Sequence, residues 1–275
     1  MQSKEIVFNN EILRGVVGST AHGLEINGQD DRDEMGIFVE PEEYVCGLMS
    51  LDHYIYRDKP EGVRSGPGDL DLTMYSLRKF CRLAEQGNPS ILMLMWLPKF
   101  ITKAPIAAKL IAIREDFVSA DAGKRFLGYL TSQRMKMMGL KAHTVKRPEL
   151  VEMYGYDTKF AMHAMRLGLQ GIELMKSCYL VLPITEPHLS GLRAIRTGKF
   201  TFEQVQKMIM DTEMELTELV NECTWETNKA GINNFLVNAH IDHWTDMASR
   251  KQQKGPQGWL NPTGQVAAGN KRLGE

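Results

Sequence analysis

RGVVGSTAHGLEINGQDDRDEMGIFV, residues 14–39, begins inside an apolar run (12–17) that reads as a short strand and turns at Gly18-Ser19. About a dozen residues later comes Asp31-Arg32-Asp33, and then a second apolar run (35–39) that ends at Pro41. On an extended segment, residues two apart leave the same face, so Asp31 and Asp33 project together. Two carboxylates on one face offer oxygen ligands to a hard divalent cation. Gly18 lets the backbone approach a phosphate closely, and Ser19 has a hydroxyl to donate to it. An Asp-x-Asp pair alone is more often a solvated turn. The weight lies in the ordered set: strand, Gly-Ser, spacer, Asp-x-Asp, strand. Other phosphate motifs fit less well. Gly18 and Gly23 have the end spacing of a P-loop, but Leu24 stands where its Lys belongs, and G-x-G-x-x-G is missing.

Working outward, residues 57–69 (RDKPEGVRSGPGD) are charged and rich in Gly and Pro, and read as a loop. Residues 69–75 alternate, with Asp69, Asp71, Thr73 and Tyr75 on one face and Leu70, Leu72 and Met74 on the other, the pattern of a half-buried strand. Asp71 is thus a third carboxylate able to join the pair, enough to hold two metal ions around an in-line phosphoryl displacement. Ser76 starts a helix with Leu77, Phe80, Leu83 and Ala84 at helical spacing. Gly87 stops it, and Asn88-Pro89 opens the next segment. From about Ala104 the periodicity predicts helices near 104–116, 123–140, 157–177, 203–222 and 231–247. The expected class is α+β: a small mixed-sheet domain over residues 1–100, an all-helical domain over 101–248, and a flexible tail over 249–275, where Gly, Gln and polar residues dominate.

Two further segments carry charge. In residues 157–179, Asp157 suits a helix N-cap. Lys159, His163, Arg166, Gln170 and Glu173 fall in one stripe of an otherwise apolar helix that includes Phe160, Met162, Leu167 and Leu174. A helix apolar nearly all round is buried, and a buried cationic stripe needs a partner. An anionic ligand, a network with Glu173, or exposure of the stripe to solvent would each satisfy it. Residues 122–148 hold Lys124, Arg125, Arg134, Lys136, Lys141, Lys146 and Arg147 with no acidic residue, compatible with a nucleic-acid backbone or with a plain solvated face. Arg193, Arg196 and Lys199 either contact phosphate or decorate a turn. His240-x-x-His243 lacks a completing ligand and is expected on an ordinary helix surface.

Of 275 residues 43% are hydrophobic, enough for a substantial core, and the net charge of −1 supplies no global field toward nucleic acid or membrane. Four cysteines without a C-x-x-C pair argue against a zinc site and suit a reducing compartment. The longest apolar run, 91–97, is far too short for a bilayer, and the first residues do not resemble a signal peptide. A cytoplasmic protein with no membrane partner is expected.

Taken together, GSTAHG (18–23), DDRDEMGIFV (30–39), DLTMYSLRKF (71–80), GNPSILMLM (87–95), YGYDTKFAMHAMRL (154–167) and LRAIRTG (192–198) resemble the DNA polymerase beta-like nucleotidyltransferases, and within them the branch associated with RNA repair in bacteria and phages. The resemblance implies a metal-dependent enzyme that moves a nucleoside monophosphate from an NTP to an acceptor and releases pyrophosphate. It implies that Asp31, Asp33 and Asp71 are catalytic and bind Mg²⁺ or Mn²⁺. Gly18 and Ser19 would contact the nucleotide phosphates, and the ligand role for Lys159, His163 and Arg166 is favoured. The implied acceptor is an RNA end, that of tRNA included, contacted through Lys141, Lys146 and Arg147. A protein hydroxyl as acceptor and a non-catalytic nucleotide sensor stand as alternatives.

Overall fold

The computed structural model describes residues 3–26, 31–60, 63, 65–140 and 147–253. After a short helix α1 (Ser3–Asn9), strand β1 (Glu11–Val16) runs into the five-residue helix α2 (Gly18–His22). Strand β2 (Arg32–Phe38), helix α3 (Glu42–Val45), strand β3 (His53–Arg57) and strand β4 (Leu70–Ser76) follow. Helices α4 (Leu77–Glu85) and α5 (Pro89–Leu92), with a 3-10 turn (Met93–Trp96), lead to a two-residue strand β5 (Thr102–Lys103). The sheet order is β3-β4-β2-β1-β5, in which β2 and β4 are parallel and the other pairs antiparallel.

The sheet separates two cores. Phe38, Leu72 and Met74 face a small cluster with Val7. Met35, Ile37 and Val39 face the other way, into a cluster that continues through Phe80, Phe126, Leu167 and Leu216 to Ala239. The alternation expected over 69–75 is present: Leu72 and Met74 are buried, and Tyr75 packs on the large core. Ser76 caps α4, accepting from Lys79 N at 3.2 Å, and Asn88 caps α5.

The remaining helices are α6 (Pro105–Ala112), α7 (Ala120–Met137), α8 (Pro148–Tyr154), α9 (Thr158–Ser177), α10 (His188–Arg196), α11 (Phe202–Glu222) and α12 (Lys229–Gln253). Asp157 caps α9 as its type predicts, accepting from Lys159 N at 3.0 Å and Phe160 N at 3.1 Å. α9 lies between α7 and α11, and its glycines permit the approach: a Cβ on Gly171 would lie 2.7 Å from Leu216 Cδ2 and 3.0 Å from Phe126 Cβ.

Several elements depart from the periodicity reading. The helix expected over 104–116 breaks at Ile113 into α6 and a 3-10 turn (Arg114–Phe117). α1, α8, α10, β3 and β5 are too short for a hydrophobic period to register. α12 runs to Gln253, past the expected start of the tail at 249; residues 254–275 lie outside the described residues. His240 and His243 are not ordinary surface residues. His240 is buried with Nε2 3.1 Å from Glu40 Oε2, His243 Nε2 is 2.8 Å from Asn10 Oδ1, and Trp244 Nε1 donates to Glu40 O at 2.8 Å. These contacts bind α12 to the chain just after β2 and just before β1. Among the described residues no helix is long and apolar enough to cross a membrane.

Candidate metal and nucleotide site

The parallel pairing of β2 and β4 places Asp33 directly opposite Asp71. Neighbouring strands lie about 4.8 Å apart, and residues in register point to the same face. Here that face is the one carrying Met35, Ile37 and Tyr75 toward the large core. Asp31 stands one residue before β2. The three carboxylates are half-buried, and each offers an oxygen within 4.8 Å of the other two. Two unit charges at that spacing repel by about 3 kcal/mol at an effective dielectric of about 20, and by less where solvent screens them. A hard cation relieves that repulsion, and the all-oxygen donor set suits Mg²⁺ or Mn²⁺. Glu34 takes no part: it points to the opposite face, where Arg14 (3.2 Å) and Arg32 (2.6 Å) neutralise it.

The Gly-Ser turn belongs to the same site. Gly18 has φ +66°, and a Cβ there would run into Asp33 Oδ2. Val17 N donates to Asp33 O at 2.9 Å, which fixes the turn against β2. Only glycine takes this conformation without strain while leaving room for the carboxylate. The turn is tied from the other side as well. Ile184 N donates to His22 O at 3.2 Å, and Arg193 Nη2 on α10 donates to Gly23 O at 2.8 Å. Arg193 therefore braces the end of the short helix that follows the Gly-Ser turn.

Among the described residues, Ser65 and Arg57 supply hydrogen-bonding and charged contacts to Asp71. Ser65 Oγ lies 3.1 and 3.0 Å from its two oxygens, and Arg57 Nη2 lies 3.5 Å from Oδ2. Arg57 reaches Asp71 because antiparallel β3 sets these two residues opposite each other.

The stripe on α9 divides into parts. Arg166 Nη1 donates to Gln170 Oε1 at 2.8 Å and faces His22 Nε2, also at 2.8 Å, while Gln170 Nε2 lies 3.3 Å from His22 Nδ1. A guanidinium can only donate, so His22 Nε2 must accept, which requires a neutral ring. Burial, and after it the charges of Arg166 and His163, hold His22 well below the usual histidine range, in agreement with that role. Burial also pushes Arg166 down to about 10, and its Nε is enclosed without a hydrogen-bond partner among the described residues. His163 is likewise held low, first by burial and then by Arg166, Lys159, Arg147 and Arg196. Those four cations are thus gathered about one ring. Arg147 pairs with Asp157 at 3.0 Å and stacks over Phe160 at 4.9 Å, and Arg196 donates to Thr158 Oγ1 at 3.3 Å. Glu173 accepts from Val181 N at 3.1 Å, and among the described residues no hydrogen bond or ion pair joins it to Arg166. Lys141 and Lys146 lie outside the described residues.

The residues expected from the sequence therefore fall into two groups, Asp31, Asp33 and Asp71 beside Gly18, and Arg166 with His163 and Lys159 on α9. His22 joins α2, which begins at Gly18, to Arg166. His22 and Ser65 are the participants that sequence reasoning missed. His22 lies three residues after Ser19, one helical turn along the same short helix, the only signal it offered. Ser65 had none, since a serine in a Gly/Pro-rich loop looks like any other.

An acidic triad on neighbouring strands, set against a Gly-Ser turn on a small mixed sheet, marks a nucleotidyltransferase of the polymerase beta type. The chain belongs to the RlaP family, the RNA repair pathway DNA polymerase beta family, whose profile it matches over residues 4–198. No curated protein is similar enough to match. Among solved structures, a nucleotidyltransferase-like protein from Exiguobacterium sibiricum 255-15 is similar at 9% identity over 92% of this chain and 89% of that one, with a TM-score of 0.30.

Proposed function

We propose that this protein transfers a nucleoside monophosphate from an NTP to the end of an RNA, with release of pyrophosphate, acting in the cytoplasm. The observation that carries the reading is the in-register pair Asp33 and Asp71, joined by Asp31 and in contact with a glycine turn that has no room for a side chain. Asp31, Asp33 and Asp71 would hold Mg²⁺ or Mn²⁺, which when bound supplies Lewis acidity and charge neutralisation at the phosphoryl group. The Gly18 backbone and the Ser19 hydroxyl cradle the β- and γ-phosphates. Lys159, His163 and Arg166 face the triphosphate, Lys159 and Arg166 offsetting its charge, the electrostatic contribution that dominates phosphoryl transfer. A neutral His163 contributes as a hydrogen-bonding group. Asp71 receives the proton of the attacking acceptor hydroxyl. In this reading residues 1–100 form the catalytic part, and residues 101–248 bind nucleotide and acceptor.

The family's RNA-repair context and the basic segment 122–148 favour RNA as acceptor. The test is a transfer assay with each α-³²P-labelled NTP, Mg²⁺ or Mn²⁺, total RNA and cell lysate, beside an Asp31→Asn/Asp33→Asn control. Cation-dependent label on RNA, absent from the control, is the expected result. Label on a lysate protein instead makes the acceptor a protein hydroxyl. NTP binding without label on anything overturns transfer and leaves a nucleotide sensor.

A further inference from the structure

The acceptor hydroxyl must come to Asp71, and a hydroxyl of this chain is already there. Ser65 Oγ lies 3.1 Å from Asp71 Oδ1 and 3.0 Å from Oδ2. The position is built. Immediately after Ser65 the chain makes a closed turn in which Asp69 N donates to Gly66 O at 3.1 Å and Gly66 N donates to Asp69 Oδ2 at 2.8 Å, with Gly68 at φ +81°. Lys59 Nζ reaches Asp69 Oδ2 at 3.5 Å from the other limb of the loop. The turn holds Ser65 over the carboxylate six residues further on. Arg57, 3.5 Å from the same Asp71 Oδ2, brings a cation to the spot where a phosphodiester on Ser65 would carry its charge.

We infer that Ser65 is an internal acceptor and that the protein nucleotidylylates itself there. The inference rests on the transfer activity proposed above. In the step, Ser65 Oγ attacks the α-phosphorus of a bound nucleoside triphosphate. The Oγ–P bond forms, and the bond from that phosphorus to the oxygen bridging to the β-phosphate breaks. Pyrophosphate leaves with the electron pair, and the hydroxyl proton passes to Asp71. The product carries a nucleoside monophosphate on the loop beside Asp71 and blocks the approach of any other acceptor, so the modification shuts the enzyme off.

The experiment uses the full chain with each α-³²P-labelled NTP and Mn²⁺, and no added acceptor. Expected are one label per chain, an intact mass raised by one nucleoside monophosphate, a labelled peptide modified at Ser65, and a rate per molecule independent of protein concentration. Ser65→Ala loses the label at least tenfold, whereas Ser65→Thr, which keeps a hydroxyl, retains it. Calorimetric titration with Mn²⁺ alone, with no nucleotide, supplies a readout that does not depend on turnover. Ser65→Ala is expected to bind the cation within about twofold of the parent and to melt at the same temperature. A cation affinity more than tenfold weaker in Ser65→Ala means that the serine supports Asp71 as a ligand, and overturns the inference. Label on another residue, or a rate second order in protein, overturns it as well. If the transfer assay with RNA and lysate labels RNA or a lysate protein while the chain itself stays unlabelled, self-modification falls and transfer stands. If nothing is labelled under any condition, both fall.

Discussion

Gly18 and His22 stand at the two ends of one five-residue helix, Gly18 against Asp33 and His22 against Arg166. Replacing Gly18 with Ala places a Cβ on Asp33 Oδ2 and forces a left-handed backbone on an L-residue, which alone costs about 1–2 kcal/mol. Gly18→Ala is expected to displace Asp33 and reduce transfer at least a hundredfold, with Mn²⁺ affinity measured by calorimetry falling in parallel. Loss of transfer with unchanged cation affinity would assign Gly18 to the phosphate alone. His22 brings a pH dependence. Burial holds its folded-state pKa well below the ordinary histidine value of about 6.5, so below about pH 6.5 the unfolded chain binds a proton that the folded protein refuses. Stability is therefore flat above neutrality and falls as pH drops through 6.5, by up to about 1.4 kcal/mol per pH unit from this ring. Urea unfolding at pH 7.5 and 5.5 measures the drop, and His22→Gln, which keeps an acceptor for Arg166, should shrink it. An equal drop in the variant would assign the acid sensitivity elsewhere, His163 being the first candidate because burial and its cationic neighbours hold it low as well.

Elements meet through small residues and through a buried polar contact at Glu40. α9 packs against α7 and α11 at Gly171, where any larger side chain must displace Leu216 and Phe126. Gly171→Leu overpacks that contact and is expected to cost about 3 kcal/mol in denaturant unfolding; a cost near zero would mean the helices separate freely. α12 is fastened by Glu40. Burial alone would raise this carboxyl, but hydrogen bonds and charge from His240, with a hydrogen bond from Ser76, outweigh burial and keep it below the usual range. His240→Ala leaves the buried carboxylate with Ser76 and with Arg78, 3.7 Å from its other oxygen, and should cost about 3 kcal/mol. Protease cutting within α12, followed over time, reports whether the helix is released.

At the scale of the whole molecule, a cation held by the triad would couple its binding to folding. Three carboxylates lie within 4.8 Å of one another with Arg57 3.5 Å from Asp71, and the negative charge left over disfavours folding until a cation offsets it. Saturating Mg²⁺ or Mn²⁺ is expected to raise the melting temperature, by the equivalent of about 2.7 kcal/mol at a hundredfold excess over Kd. Asp31→Asn/Asp33→Asn should not respond, and without cation it should melt above the parent. A parent that ignores both cations counts against the metal site. If RNA is the acceptor, its binding weakens steeply between about 50 and 200 mM salt, as contacts to phosphates require.

The local order of the chain determined much of this protein. The turn at Gly18, the alternation from Asp69 to Tyr75, the caps at Ser76, Asn88 and Asp157, and the long amphipathic helices all follow from periods and caps spanning a few residues, and such signals survive in a linear string. The acidic triad was legible for the same reason, since Asp31 and Asp33 are two apart and Asp71 lies on a recognisable strand. Tertiary structure alone decided that β2 and β4 pair in parallel with Asp33 against Asp71, that Arg166 closes on His22 across 144 positions of sequence, and that His240 turns inward to Glu40 across 200. Short elements such as β3, β5 and α10 also escaped the sequence reading, being less than three helical turns or a few strand residues long. Register and long-range contact arise from packing between segments, whose free energy depends on which surfaces meet. No periodicity within either segment encodes its partner.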